Sequence, residues 1–379
     1  MKIVADMNIP CVEQAFASVG SVELGQGRQF TQAQVADADI LLVRSVTKVD
    51  SQLLDGSSVR FVGSATAGLD HIDQLYLQRK EIAFAHAAGS NARSVVEYVL
   101  AAICETGRHL ERLLQGGTVG IVGYGHVGSA LAALCTGFGI AYKVFDPLLE
   151  DAPNAASLHE VLGCDVVSLH CELTQQAPWP SFHLIAAAEL ALLQSNALLI
   201  NASRGAVIDN RALLACIERT GLDTVLDVWE GEPAIDAELL ANVSFGTAHI
   251  AGYSYDAKLA ATYHLAREAK TIFGLESAHL FTDATELPAI ELSSNNTVAQ
   301  AIRAMISERY VVADDDARLR AATVGAEPAN AAEAFDKLRK DYPVRRELWG
   351  SSVYYAGQND AVANAIEVLG CTRQGASKQ

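Results

Sequence analysis

"TVGIVGYGHVGSALAALCTGFGIAYKVFD", residues 118–146, decides the fold. An apolar run holding Val119, Ile121 and Val122 ends at Gly123. Gly123, Gly125 and Gly128 then spell G-x-G-x-x-G, and an apolar helical pattern begins at once. In such a unit the first glycine allows a tight turn, the second lets backbone approach a pyrophosphate, and the third lets the helix pack on the strand. The helix start offers N–H groups and a positive dipole end to phosphates. The next strand, "AYKVFD", closes on Asp146, 18 residues after Gly128. A carboxylate there accepts hydrogen bonds from the adenosine ribose and repels a 2′-phosphate, and Pro147 follows it instead of an arginine. The pattern predicts a dinucleotide site for NAD rather than NADP. The glycines alone would be a weak sign; strand, helix and acid around them make it specific.

Outward from this unit the same alternation repeats. "CDVVSLH", "ALLINAS", "DTVLDVW" and "VSFGTAH" follow as strands, and "KIVAD", "ILLVRS" and "VRFVGSA" precede it. Helical patterns lie between them, which argues for parallel sheets with crossover helices. Residues 94–114, "SVVEYVLAAICETGRHLERLL", read as one long amphipathic helix. "DAKLAATYHLAREAKTIFG" reads as a helix with no strand of its own, so it is expected to return to the first lobe. The predicted fold is α/β: two Rossmann-like, doubly wound parallel-sheet lobes joined by a hinge. Residues 1–92 and 256–285 form a substrate-binding lobe and residues 93–255 an NAD-binding domain. Residues 286–379 form a smaller α+β C-terminal domain, helical around one linker, with a strand at "SSVYYAG".

Composition excludes several classes. The chain has 379 residues, half of them hydrophobic, and a net charge of −17. The segment from residue 286 carries 11 Lys and Arg against 13 Asp and Glu, so the excess acid lies in residues 1–285. Such a body repels nucleic acid, and an anionic ligand must be gripped by local arginines or amides. The most apolar long stretch, "LIAAAELALLQSNALLI", is interrupted by Glu189, Gln194, Ser195 and Asn196, so no membrane span is expected. The start "MKIVADMNIP" reads as a strand and a turn rather than a signal peptide. Seven scattered cysteines without a Cys-x-x-Cys pair suggest reduced thiols in a cytoplasmic protein, with neither a disulfide frame nor a metal site.

Three titratable or charged residues close strands of the second lobe: Arg204 in "LLINASRGAVID", Glu232 in "LDVWEGEP" and His249 in "GTAHIAGYS". Ligands of open parallel sheets bind outside the carboxyl ends of the strands. Oxidation of an alcohol needs a hydride acceptor and a base, and imidazole has a suitable intrinsic pKa. Glu232 is expected to pair with His249 and stabilise its charged form. Arg204 is expected to hold a carboxylate with two parallel hydrogen bonds.

With "VGIVGYGHVG", "LLINASRGAVID", "LDVWEGEP" and "AHIAGYS" in this order, residues 1–285 resemble the D-isomer-specific 2-hydroxyacid dehydrogenases. The resemblance implies that Arg204, Glu232 and His249 are the catalytic set. Ala248 departs from it, since the family usually has proline before the histidine. "LLVRSVTKVD", "FVGSATAGLDHID" and the tail narrow the resemblance to a branch acting on a small phosphorylated hydroxy acid in vitamin B6 synthesis. That branch implies substrate contacts at Ser45, Thr66 and Tyr253, and cofactor contacts at His126, Val127, Asp146, Thr174, Asp227 and Gly252. Arg44 beside Ser45 offers a cation for a phosphate or carboxylate. The tail resembles a dimerisation segment, with Ile302, Met305 and Ile306 expected against a second subunit. Arg345 and Arg346 are expected as a solvated basic pair, with the alternative that one of them reaches the partner's substrate site. Two alternatives stay open: a dehydrogenase for 3-phosphoglycerate or another D-2-hydroxy acid, and a non-enzymatic NAD(H)-sensing scaffold.

Overall fold

The computed structural model describes residues 1–149, 151–276 and 287–375; the expected domain junction at 285/286 lies outside the described residues. The chain forms two compact units, Met1–Asn91 with Ser254–Thr285, and Ala92–Tyr253 with Glu286–Gln379.

The first unit is built on five strands, β1 (Lys2–Asp6), β2 (Ser21–Gly25), β3 (Ile40–Val43), β4 (Phe61–Ser64) and β5 (Ala83–His86). They pair in parallel in the order β2-β1-β3-β4-β5. Alternation along the strands sends Ile3, Ile40 and Phe61 to one face and Val4, Leu41 and Val62 to the other. The helix Tyr255–Ile272 covers the first of these faces with Leu265, Ala266 and Ala269. Its start is capped by Ser254 Oγ, which accepts from Ala257 N at 2.8 Å.

In the second unit, β6 (Thr118–Val122), β7 (Ala141–Phe145), β8 (Val166–Leu169), β9 (Leu198–Asn201), β10 (Asp223–Leu226) and β11 (Phe245–Gly246) form a parallel sheet. Its order is β11-β10-β9-β8-β6-β7. The order reverses between β6 and β8, which opens a crevice at their carboxyl ends. The stretch 94–114, expected as one helix, is two: Ala92–Glu105 and His109–Leu114. Gly107 lies between them with φ +51°, a conformation that ends a right-handed helix. Leu110 and Leu113 remain buried, so the apolar period continues across the break.

Among the described residues the tail adds the helices Val298–Ser307, Val312–Thr323, Pro328–Lys340 and Asp360–Val368. A small parallel sheet of β12 (Ile290–Glu291), β13 (Ser352–Tyr354) and β14 (Thr372–Gln374) completes it. Ile302, Met305 and Ile306 are buried, but in one core with Val95, Val99 and Ile103 of the helix Ala92–Glu105. The chain's own helix therefore covers the apolar face that was expected to meet a second subunit. Polar ties follow the same seam. Arg303 grips Glu111 with two hydrogen bonds of 2.5 and 2.8 Å, and Glu105 accepts from Val312 N and Ala313 N at the start of the helix Val312–Thr323. The tail thus packs in the same compact unit as the second sheet. Among the described residues, no helix is long and apolar enough to cross a membrane.

Candidate active site

The glycine loop leaves β6 at the point where the strand order reverses. Gly123 has φ +91°, and a Cβ there would lie 2.7 Å from Cys171 N; a Cβ on Gly128 would lie 2.0 Å from Gly123 O. Both positions therefore need glycine for the chain's own packing. Around Gly125 a Cβ would meet nothing within 4 Å, so space remains beside the helix start. His126 and Val127 open that helix, His126–Phe138, and Gly125 at its N-cap supplies no capping side chain. Its first-turn amides are suited to phosphate oxygens. Asp146 ends the neighbouring strand and ties the loop to it: Oδ2 accepts from Tyr124 N at 2.8 Å and Oδ1 from Leu148 N at 3.0 Å. Across the crevice, Thr174 follows β8, with its amide donating to Ser181 Oγ at 2.8 Å and its Oγ1 accepting from Gln176 N at 3.1 Å. These residues fit a bound dinucleotide.

Glu232 and His249 are brought together as expected. Glu232 Oε2 and His249 Nδ1 are 2.8 Å apart, and Glu232 Oε1 accepts from Trp229 N at 2.7 Å. Burial pushes the Glu232 carboxyl up, but the hydrogen bond and charge of His249, the Trp229 amide and Arg339 together bring it below its ordinary value. An ionised carboxylate only accepts, so Nδ1 carries the proton and Nε2 is left to exchange one with a substrate. Arg204 follows β9 at the entry to a tight turn, Gly205–Val207. Buried Asn201 shapes that turn: its Nδ2 donates to Arg204 O at 3.0 Å, and its Oδ1 accepts from Ser203 N and Ser203 Oγ. Gly205 presses directly on the Trp229 backbone, where a Cβ would fall 1.9 Å from Trp229 C. The arginine turn and the glutamate loop are thereby seated on each other.

The histidine loop has its own anchor. His249 lies in the left-handed region at φ +55°. Asp227, fully buried, accepts from Thr247 Oγ1 (2.6 Å) and Ile250 N (2.7 Å) through Oδ1, and from Ala251 N (2.9 Å) through Oδ2. Its backbone carbonyl accepts from His249 N at 2.7 Å. Tyr98 Oη lies 2.8 Å from Thr247 Oγ1 and extends the network into the helix Ala92–Glu105. Asp227, expected as a cofactor contact, has both carboxylate oxygens engaged in holding the His249 loop. The same bonds fix the turn that contains Ala248. Asn201, Thr247 and Tyr98 were not singled out from the sequence, since only tertiary packing gives them these roles.

Gly252 and Tyr253 continue the loop, and Tyr253 N donates to Ile250 O at 2.8 Å. From the tail, Arg339 Nη2 donates to Tyr253 Oη at 3.1 Å. Arg345 takes a different position from the one expected. It is buried within its own unit, donates to Ser94 Oγ at 3.1 Å and to Ala251 O, and stacks over Tyr310 at 4.4 Å. Its Nη1 is also buried, with no hydrogen-bond partner among the described residues.

In the first unit, Arg44 and Ser45 follow β3 and Thr66 follows β4, so all three share the carboxyl edge of that sheet. Arg44 Nε is paired with buried Asp6 at 3.1 Å, across the β1/β3 reversal. Ser45 is exposed. Thr66 Oγ1 bonds Ser64 Oγ at 2.8 Å and Gly68 O at 3.2 Å. Among the described residues, His183, Asp209 and Glu230 bring metal-capable atoms within 4.8 Å of one another. Protein hydrogen bonds already occupy them: His183 Nε2 lies 2.8 Å from Glu230 Oε1, and Asp209 caps the helix Asn210–Thr220.

Known proteins place this arrangement. Residues 85–251 match the model of the D-isomer specific 2-hydroxyacid dehydrogenase NAD binding domain, and residues 281–370 match a domain of unknown function. An erythronate-4-phosphate dehydrogenase of Cellvibrio japonicus is 43% identical, with 98% of this chain and 99% of that protein covered. One of Marinobacter nauticus is also 43% identical over the same shares. Among solved structures, the D-lactate dehydrogenase of Aquifex aeolicus complexed with NAD and lactic acid aligns with a TM-score of 0.61 at 23% identity. It covers 72% of this chain and 96% of that one. The likeness to that structure supports the fold. By its length-wide identity to these relatives, the chain belongs to the erythronate-4-phosphate dehydrogenases of the D-isomer-specific 2-hydroxyacid dehydrogenase family.

Proposed function

We propose that this protein oxidises 4-phospho-D-erythronate to 2-oxo-3-hydroxy-4-phosphobutanoate with NAD, as a step of pyridoxal phosphate synthesis. The observation that carries the reading is the Glu232–His249 pair at 2.8 Å, set on a strand-end loop of a dinucleotide-binding sheet. Near-full-length identity to enzymes of that name supplies the substrate.

Bound NAD supplies the hydride acceptor. The glycine loop, His126, Val127, Asp146, Thr174 and Gly252 are the residues that would hold it. Arg204 grips the substrate carboxylate through its guanidinium fork and so orients the adjacent hydroxyl carbon. His249 Nε2 takes the hydroxyl proton as the carbonyl forms. Glu232 balances the imidazolium charge and keeps the ring from rotating. Asp227 and Thr247 hold the loop so that this geometry is set before the substrate arrives. Ser45 and Thr66 contribute hydroxyls, and Tyr253 a phenol, to the remainder of the substrate; Arg44, neutralised by Asp6, orders the loop that carries Ser45.

The protein acts as a homodimer through its tail. Val344 and Trp349, 78% and 55% exposed, support a contact surface there, distinct from the covered Ile302 face. Light scattering of the purified chain checks this state. Seven cysteines without a disulfide support a cytoplasmic setting. NADH formation, followed by absorbance with 4-phospho-D-erythronate and 3-phosphoglycerate in parallel, tests the substrate. Turnover should be far higher with the first; a preference for the second, or no NADH from either, defeats the reading.

A further inference from the structure

The proposed substrate carries two anionic groups, a carboxylate and a phosphate, into a chain of net charge −17. It must also approach the carboxylates of Glu232 and Asp227. Arg204 answers one of its anionic ends. Arg44 is tied through Nε to Asp6, and Arg345 is buried against Ser94, Ala251 and Tyr310, with its Nη1 unpartnered among the described residues.

Arg339 is placed differently. It sits in the last turn of the helix Pro328–Lys340, which is seated by fully buried Phe335 and by Leu338 in the cluster that includes Ala248, the neighbour of His249. Its Nη2 donates to Tyr253 Oη at 3.1 Å, and its guanidinium lies 5.8 Å from the centre of that ring. Its charge is felt at Glu232 and Asp227. Its Nε is buried and has no hydrogen-bond acceptor among the described residues. A buried guanidinium N–H without an acceptor is unfavourable and rare, and an anionic ligand oxygen would satisfy it. A phenol that accepts from a guanidinium is also a stronger donor of its own proton.

We infer that Arg339, together with the Tyr253 hydroxyl that it holds, selects substrates bearing a phosphate monoester beyond the hydroxy-acid end. The tail then serves the site of its own chain: it supplies the cation that offsets the carboxylates of buried Asp227 and half-buried Glu232 and recognises the second anion. This inference rests on the proposed reaction but adds a determinant outside the catalytic set. It also gives a chemical reason for a tail on a fold that binds NAD without one.

The test compares kcat/KM for 4-phospho-D-erythronate and for unphosphorylated D-erythronate in the full-length enzyme, Arg339→Met and Arg339→Lys. Hydrogen bonds to charged groups carry enough energy for the phosphate preference of Arg339→Met to fall roughly 10–100-fold. The loss should lie mainly in KM for the phosphorylated substrate. Arg339→Lys should recover part of the preference, and NADH binding measured by fluorescence should stay intact. An equal fall for both substrates, or an unchanged ratio, overturns the inference. Should Arg339→Met fail to fold, Tyr253→Phe and Arg339→Lys carry the test, since each should lower the same ratio. A wild-type enzyme with no preference for the phosphorylated acid would instead remove the proposed reaction, and this inference with it.

Discussion

His249 combines an uncommon backbone with a demanding task. Its φ of +55° places a non-glycine residue in the left-handed region, which costs free energy and persists only where surroundings hold it. Asp227 holds it, with its carbonyl on His249 N and its carboxylate on the two amides that follow. Replacing His249 with Ala should lower kcat by roughly 10²–10⁴-fold, the usual worth of general acid–base catalysis. The affinity for NADH should change little. Steady-state rates and a fluorescence titration check this, and near-normal turnover would mean that another group takes the proton. The three positions proposed for catalysis were legible in the sequence because each polar residue lies within a few residues of the end of an apolar strand. Their supports were not. Asn201 and Thr247 look like ordinary strand-end polar residues, and Arg339 lies 86 residues from Tyr253 along the chain. Asp227, read by resemblance as a cofactor contact, shows what the resemblance left out: where its hydrogen bonds go.

Between the elements, the closest approach in the site is that of the β9 turn to the β10 loop. Gly205 lies against Trp229, whose indole Nε1 donates to Thr247 O at 2.9 Å. One tryptophan therefore touches the loops of Arg204, Glu232 and His249. Gly205→Ala inserts a methyl where backbone already stands, so the two loops must separate. Overpacking of this kind costs about 1–3 kcal/mol, and the site should lose activity out of proportion to the lost stability. A melting curve and kcat/KM measured together check this; a variant with both unchanged would show that the turn yields freely. The strands and crossover helices were legible because apolar alternation and strand-end glycines recur along the chain. The break at Gly107 was not, since a single glycine is tolerated in a helical pattern and the apolar period runs on through Leu110. The apolar face at Ile302 was visible too, but no local signal told which surface would cover it.

At the scale of the whole chain, the tail of residues 286–379 is held to the sheet that binds the nucleotide by a buried seam that combines charge with apolar area. Glu97, on the helix Ala92–Glu105, accepts from Leu348 N at 2.8 Å. Burial is the largest influence on its carboxyl, and nearby Glu347 adds to it; together they outweigh the Leu348 and Trp349 amides and Arg345, so its pKa stands at about 8 against an ordinary 4.5. The sign follows from proton counting. Between these values the folded protein keeps a proton that the unfolded chain releases, so stability falls as pH rises through this window. Below about pH 4.5 both states are protonated and the penalty vanishes. Glu97→Gln keeps a carbonyl acceptor for Leu348 N and carries no charge at any pH. Its melting temperature should therefore run close to that of the wild type near pH 5 and rise above it progressively toward pH 8. Because other titrating groups are common to both proteins, the difference between the two curves isolates this one carboxyl. Parallel curves from pH 5 to 8 would mean that Glu97 is ionised and compensated in the folded seam, with Arg345 as its counter-ion.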